Sequence, residues 1–201
     1  KTMKIKKILV KRKPRINIIL TGDELKSKTN KKGLIESSNE ILLKFLATKL
    51  GGEILNISTT TDNENELIKS FNKTNDFDIL ITSGGISRGK YDIVKKALGK
   101  KGLKILFDRV AIKPGKPTTF GKFNKTKFFL GLPGNPVSCF ITMLLFFPIY
   151  INSFYGFEYI KLSQEKLITK NDINNNNKLT SFLRIKLDNK SRKHFQVFDN
   201  Q

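Results

Sequence analysis

The chain is short of several residue types on which whole classes of site depend. Its single cysteine, Cys139, among 201 residues excludes an intramolecular disulfide and any multi-cysteine metal centre, and it is compatible with a reducing cytoplasm. Its single histidine, His194, falls in the tail and is assigned neither a catalytic nor a metal-binding role. Long apolar runs are missing as well. The longest, Val137 to Phe147, is stopped by Pro148, short of the roughly 20 residues that a bilayer span requires, and reads as a buried helix. Lys1 to Lys7 precede only a short apolar stretch, so no secretory signal or membrane anchor is visible. Acidic residues are scarce, with 17 Asp+Glu against 38 Lys+Arg and a net charge of +21. Such a balance invites an anionic ligand or nucleic acid. The lysines are nevertheless spread from Lys1 to Lys193, and only KTMKIKKILVKRKPR is dense enough to resemble a basic arm. With no aromatic-interleaved basic stripe beside it, a general bias toward Lys, Asn and Ile with solvated lysines is favoured over a nucleic-acid surface.

What is present is an alternation of short β-branched runs and helix-like segments from Arg15 onward, the pattern of a mostly parallel sheet with crossover helices. Strands are expected at Ile16 to Leu20, Ile54 to Ile57, Asp78 to Thr82, Leu103 to Ile112, Thr118 to Gly121 and Lys127 to Leu130. Helices are expected from Asn39 to Leu50, around Leu67 and Phe71, from Asp92 through Leu98, and from Val137 to about Tyr155, the last opened by Asn135 as N-cap and Pro136 as first helical residue. The composition changes after Gly156. Asn174 to Asn177 reads as a surface loop, and Leu179 to Leu187 and Phe195 to Phe198 read as strands of a small second unit. The expected division is a remnant of preceding domains over 1–14, an α/β domain over 15–160 and an incomplete β-domain over 161–201.

In an open α/β sheet, ligands bind beyond the carboxyl ends of the strands, and the unusual loops fall there. Ser83-Gly84-Gly85 directly follows a strand, so its backbone can approach a ligand, and its N–H groups with Ser83 and Ser87 can hold a phosphate. An ordinary turn uses Gly-Gly as readily. Lys113 and Lys116 bracket a Pro-Gly turn that spaces two cations as a di-anionic group requires, although a solvated hairpin would look the same. Asn135 at a helix start offers free N–H groups to an anion, as any well-capped helix does. Asp23, Glu24, Asp62 and Asp92 end or follow strands. Singly each reads as a helix cap or solvated carboxylate; beside a phosphate cradle, converging carboxylates would hold Mg²⁺.

The segments ILTGDEL, TSGGISRGKYD, VAIKPGKPTTFGK and FFLGLPGNPVSCF resemble, in order and spacing, the central domain of the MoeA-type molybdopterin molybdenumtransferases, including the gephyrin E domain. The resemblance covers Lys13 to Gly156; SGG is a weak signal, and KPGKP followed by GLPGNPVS a strong one. It implies a three-layer α/β/α domain that binds adenylylated molybdopterin in a homodimeric cytoplasmic enzyme. It also implies a Mg²⁺-dependent transfer in which molybdate enters the dithiolene and AMP leaves. Carried over residue by residue, Asp62 and Asp92 serve metal and pyrophosphate chemistry, and Lys113 and Lys116 hold phosphate or molybdate. Thr21, Gly22, Glu24, Asn39, Ser83, Gly84, Gly85, Ser87, Gly115, Pro133, Gly134, Asn135 and Ser138 line the cofactor. The pattern departs at Lys90, where an acidic residue is common, at Arg88, where a small apolar one is usual, and at Ser37, which makes the pocket more cationic. Phe182-Leu183-Arg184 resembles the start of the family's C-terminal β-domain. Two other readings stay open: a molybdopterin adenylyltransferase-like enzyme, which shares the fold and the strand-GG loop, and a non-catalytic molybdopterin-binding scaffold.

Overall fold

Runs of β-branched and leucine side chains become strands where both faces of a sheet are covered. β1 (Arg15–Thr21), β3 (Ile79–Ser83) and β7 (Phe128–Leu132) are such runs, buried along almost their whole length. In this computed structural model, which describes residues 7–22, 37–74, 76–85, 92–158, 166, 168–169, 172–175, 178–187 and 194–197, they form the centre of a six-stranded sheet. β2 (Glu53–Thr60) flanks β1 at one edge, and β6 (Thr119–Lys122) and β4 (Lys104–Asp108) complete the other, in the order β2-β1-β3-β7-β6-β4. The first four strands are mutually parallel; β6 pairs antiparallel with β7, and β4 pairs antiparallel with β6 and so runs in the direction of the first four.

Side-chain alternation along each strand separates two cores. Ile18, Leu20, Ile81 and Leu130 face α1 (Ser38–Lys49) and α4 (Pro136–Tyr155), packing with Leu43, Met143 and Phe147. Ile19, Leu80 and Phe129 face α2 (Glu64–Asn72) and α3 (Ile93–Gly99), packing with Leu67, Val94 and Leu98. Each such fully buried aliphatic side chain contributes about 1.5–3 kcal/mol relative to exposure. The result is the α/β/α three-layer arrangement expected from the alternating pattern.

Two local signals set the boundaries of α4. Asn135 Oδ1 accepts from Ser138 N at 3.1 Å, and Gly156 closes the helix in a left-handed conformation with φ 76°. Pro148 ends the apolar run but lies inside the helix, which extends to Tyr155 as expected from the sequence. By length and composition alone its 20 residues could cross a membrane. Here it buries Cys139, Met143, Phe147 and Ile151 against the sheet.

Two expected strands are broken. Leu103 to Ile112 divides into β4 and β5 (Ile112–Lys113) because Arg109 takes a left-handed φ of 70°, which ends the extended run. Leu179 to Leu187 divides into β9 (Thr180–Ser181) and β10 (Ile185–Leu187), which serve different sheets. β10 joins β11 (His194–Val197) and β8 (Ile168–Thr169) in a three-stranded sheet. β9 pairs in parallel with β5, Thr180 N donating to Ala111 O at 2.9 Å and Phe182 N to Lys113 O at 2.7 Å.

At the amino-terminal end of the parallel strands, the incoming segment is clamped. Arg12 donates to both oxygens of Asp78, at 2.5 and 2.8 Å, and Arg15 N donates to Asp78 Oδ2 at 2.6 Å. The Lys11 ammonium and the Arg12 guanidinium also lie over the Phe154 ring.

Candidate functional site

Strand register arranges the candidate residues along the opposite end of the sheet. Thr60 pairs with Thr21, Leu20 with Ser83, and Ser83 with Leu132. Gly131 pairs with Thr119, and Thr119 with Asp108. Because β6 and β4 run antiparallel, the first residue of one and the last of the other reach the same crest as the carboxyl ends of the parallel strands. Six strands spaced by about 4.8 Å make this crest roughly 24 Å long.

At its centre the loops hold one another. Asn39, buried at the start of α1, donates from Nδ2 to Ser83 Oγ at 2.9 Å and to Gly134 O at 2.7 Å. Ser83 Oγ in turn donates to Pro133 O at 3.2 Å. Asn39 and Ser83 therefore join α1, the SGG loop and the LPGNP loop, and the Ser83 hydroxyl is engaged within the protein. Cys139 lies beneath, 3.8 Å from Ser83 Oγ, and burial pushes its thiol up to about 11, which makes it inert as a nucleophile.

The glycines have a more specific use than general access. Gly84 and Gly85 have φ of 92° and 61°, conformations that L side chains rarely adopt. A Cβ on Gly84 would run into the Thr21 carbonyl and lie 2.8 Å from Thr21 Oγ1; one on Gly85 would lie 2.7 Å from Thr21 Oγ1 and from Val94 Cγ2. The SGG loop thus gives its space to the end of β1. Gly22 N completes the junction by donating to Thr60 O at 3.2 Å. A Cβ on Gly134, by contrast, would make only an ordinary contact, its nearest neighbour being Gly84 Cα at 3.5 Å.

Several buried acceptors on the crest have no hydrogen-bond partner among the described residues: Thr21 Oγ1, Thr60 Oγ1, Asn39 Oδ1 and Asp92 Oδ1. Buried polar atoms are normally paired, and these are left open among the described residues. Thr60 escaped the sequence reading; its only signal is the run Thr59-Thr60-Thr61 at a strand end before Asp62. Asn135 and Ser138 are used in capping α4, Ser138 Oγ adding a 3.3 Å contact to Asn135 Oδ1.

The two candidate metal carboxylates stand on different strands. Asp62 is exposed after β2, on a turn that Glu66 secures by accepting from Thr61 Oγ1 at 2.6 Å. Asp92 follows β3 and precedes α3, with β1 between the two strands. Among the described residues no three carboxylate, histidine or cysteine side chains cluster as a metal cage. The Lys95 ammonium contacts Asp92 Oδ2 and sits 2.7 Å from Asp108 Oδ2, while Thr119 Oγ1 donates to Asp108 Oδ1 at 2.7 Å. Burial works against the Lys95 charge, but its bonds to Asp108 and Asp92 outweigh this and hold its pKa above the ordinary lysine value. Burial likewise acts to raise the Asp108 pKa, and Lys95 and Thr119 more than offset it, leaving the carboxyl below its usual range. Lys95 and Asp108 were not candidates from sequence; an Asp and a Lys three apart in a first helical turn were the available sign.

The KPGKP turn hangs over the antiparallel side. Its backbone is fixed: Thr118 Oγ1 donates to Gly115 O at 2.7 Å, Val110 N donates to Lys116 O at 2.9 Å, and a Cβ on Gly115 would run into Thr142 Cγ2 of α4. The side chains of Lys113 and Lys116 are exposed, with no hydrogen bond or ion pair to described residues. Asp23, Glu24, Ser87, Arg88 and Lys90 lie outside the described residues.

Comparison with known proteins fits this geometry. Residues 17–152 match the family model described as "Probable molybdopterin binding domain". The chain is 41% identical over 134 residues to the molybdopterin molybdenumtransferase of Haemophilus influenzae, covering 65% of this chain and 33% of that protein. It is 38% identical over 168 residues to the molybdenum cofactor synthesis protein cinnamon of Drosophila melanogaster, covering 81% of this chain and 27% of that one. The crystal structure of the molybdopterin biosynthesis MoeA protein of Pyrococcus horikoshii superposes with a TM-score of 0.73 at 27% identity, over 92% of this chain and 45% of that one. The chain spans about a third of the length of the curated relatives it matches.

Proposed function

The chain belongs to the molybdopterin-binding domain family, and on that premise we propose that it is the substrate-binding domain of a molybdopterin molybdenumtransferase, serving the insertion of molybdate into adenylylated molybdopterin with release of AMP. The observation that carries the reading is one crest with two kinds of complementarity. On its parallel side are buried acceptors without partners among the described residues, Thr21 Oγ1, Thr60 Oγ1 and Asn39 Oδ1, suited to the N–H and O–H donors of a pterin. On its antiparallel side are two exposed ammonium groups on a fixed turn, suited to a pyrophosphate or to molybdate.

The residues also fit a Mg²⁺ ion as part of this proposal. Mg²⁺ is commonly held by one or two carboxylates plus substrate phosphates rather than by an all-protein cage, and Asp92 keeps a buried oxygen, Oδ1, without a partner among the described residues. Asp92 and Asp62 would hold the ion, which would supply charge neutralisation at the pyrophosphate. Lys113 and Lys116 bind and orient anionic groups, and the interlocked SGG and LPGNP loops shape the pocket. Glu24 and Ser87 belong to the same proposal. A homodimer belongs to it too, supported by Ile41 and Phe45 of α1 and Phe140 of α4, exposed apolar side chains on helices that share one face of the sheet. So does the assignment of the tail after residue 160 to a separate β-domain.

The test is to incubate the chain with adenylylated molybdopterin, Mg²⁺ and molybdate, following AMP release and, separately, ligand binding. Saturable binding with molybdate-dependent AMP release is expected. Binding without release would support the scaffold reading, consumption of ATP with molybdopterin would support the adenylyltransferase-like one, and absence of binding would overturn the proposal.

A further inference from the structure

Lys95 belongs to no loop that the family resemblance singles out, yet it links the start of α3 to the end of β4 across the crest. It sits in the first turn of α3, and its ammonium touches Asp92 Oδ2 and lies 2.7 Å from Asp108 Oδ2 at the end of β4. The two carboxylates differ in setting. Asp92 is the inner one, its side chain 21% exposed, and Asp108 the outer one at 39%. Thr119, itself fully buried, donates to Asp108 Oδ1 and so keeps Oδ2 turned toward the lysine. With its side chain only 19% exposed, Lys95 cannot carry its ammonium into bulk water without uncovering its methylene stem. It has two partners, and it can release one only by keeping the other.

We propose that Lys95 is a positioning residue, a tethered cation that holds the Asp92 carboxylate in the metal-free protein and yields it to a divalent ion by withdrawing onto Asp108. The inference rests on the Mg²⁺ reading of Asp92 given above. An ammonium and a divalent cation on the same carboxylate repel strongly at separations of about 3–4 Å, even at the effective dielectric of a protein surface, so one must leave. Asp108 offers the ammonium a partner at a distance it already holds, with a carboxylate orientation that Thr119 already sets. The arrangement spares the half-buried Asp92 an uncompensated charge before the metal and substrate arrive, and it makes metal affinity a competition between two cations.

The competition gives opposite signs for two substitutions, which a merely structural role would not. Removing the competing charge with Lys95→Met is expected to tighten divalent-ion binding about tenfold, and removing its retreat with Asp108→Asn to weaken it about threefold. Lys95→Arg, which keeps the charge, should stay near the wild type. The measurement is Mn²⁺ titration of the whole chain followed by the electron paramagnetic resonance of the free ion, with Mg²⁺ displacing Mn²⁺ as a check on site identity. Circular dichroism would confirm the fold of each variant, and Lys95→Gln would stand in should the methionine variant not fold. Weaker or unchanged binding in the neutral Lys95 variants overturns the inference. Wild-type binding that no variant alters leaves the metal reading intact and removes the role of Lys95. No Mn²⁺ binding by any form at millimolar ion overturns the metal reading and the inference together.

Discussion

The two wings of the sheet spend their polar groups differently. In the parallel wing, β2-β1-β3-β7, the loops are tied to one another, with Asn39 bonding Ser83 and Gly134, Ser83 bonding Pro133 and Gly84 making room for Thr21, and what stays open among the described residues is a set of buried oxygens, Thr21 Oγ1, Thr60 Oγ1 and Asn39 Oδ1. In the antiparallel wing, β6-β4 with the KPGKP turn, the backbone is tied while Lys113 and Lys116 project into solvent, and the ion pairs of Lys95 and Asp108 are only partly covered. Parallel strands are buried on both faces and their ends crowd together, so loops there must satisfy each other. An antiparallel addition at the sheet edge is under no such demand. Substitutions that disturb the interlocked loops of the parallel wing should therefore cost stability first, and removal of the exposed lysines of the antiparallel wing should cost ligand affinity with little effect on stability.

The largest effect expected is that of Gly84→Ala. A positive φ of 92° and a collision with the Thr21 carbonyl together should cost about 3 kcal/mol in urea-induced unfolding. Gly134→Ala, in the same crest but with its nearest neighbour at 3.5 Å, should cost less than about 0.5 kcal/mol. Equal losses would mean that the SGG loop is not locked against β1 and would break the contrast between the wings.

Most of the fold was legible because strand and helix periods leave clear marks in an α/β chain, and Asn135-Pro136 and Gly156 announce the ends of α4. The breaks were not. Arg109 carries no local sign of its left-handed conformation, and the pairing of β9 with β5 depends on two segments almost seventy positions apart. Within the site, the loops that carry ligand-like chemistry could be found from their glycines and lysines, but not how those residues are used. The ties of Ser83 Oγ to Asn39 and Pro133, and the room that Gly84 leaves for Thr21, depend on contacts between distant segments that no local pattern announces. Lys95 and Asp108 meet only because β4 runs antiparallel to β6, a topological fact that hydrophobic patterning does not encode.

A smaller effect is expected at the opposite end of the parallel wing, where self-satisfaction takes an ionic form. Burial acts to raise the Asp78 pKa, but hydrogen bonds from Arg12 and from Arg15 N, with the charges of both arginines, outweigh it, so the carboxyl titrates below its ordinary value. Its contribution is thus fully present above about pH 4, the unfolded value, and is lost as pH falls through the lower folded one. Asp78→Asn should cost about 2 kcal/mol at neutral pH, and its stability should converge on that of the wild type in acid. A constant difference at all pH values would assign the cost to packing instead of charge.

The smallest effect on stability, and the sharpest on function, is expected from Lys113→Ala with Lys116→Ala. Both side chains are exposed and unpartnered among the described residues, so unfolding should shift by no more than about 0.5 kcal/mol. Binding of inorganic pyrophosphate should weaken about tenfold at low ionic strength, and the difference should shrink as salt screens exposed charge. The turn itself supplies the control. Gly115 is pressed against Thr142, so Gly115→Ala must displace the backbone that spaces the two lysines without removing either charge. If spacing matters as well as charge, that variant loses pyrophosphate affinity with both ammonium groups intact, and it does so with a stability cost that the double lysine variant lacks. Should Gly115→Ala bind as well as the wild type, the lysines act as loose counter-charges, and the antiparallel wing contributes field rather than geometry to the site.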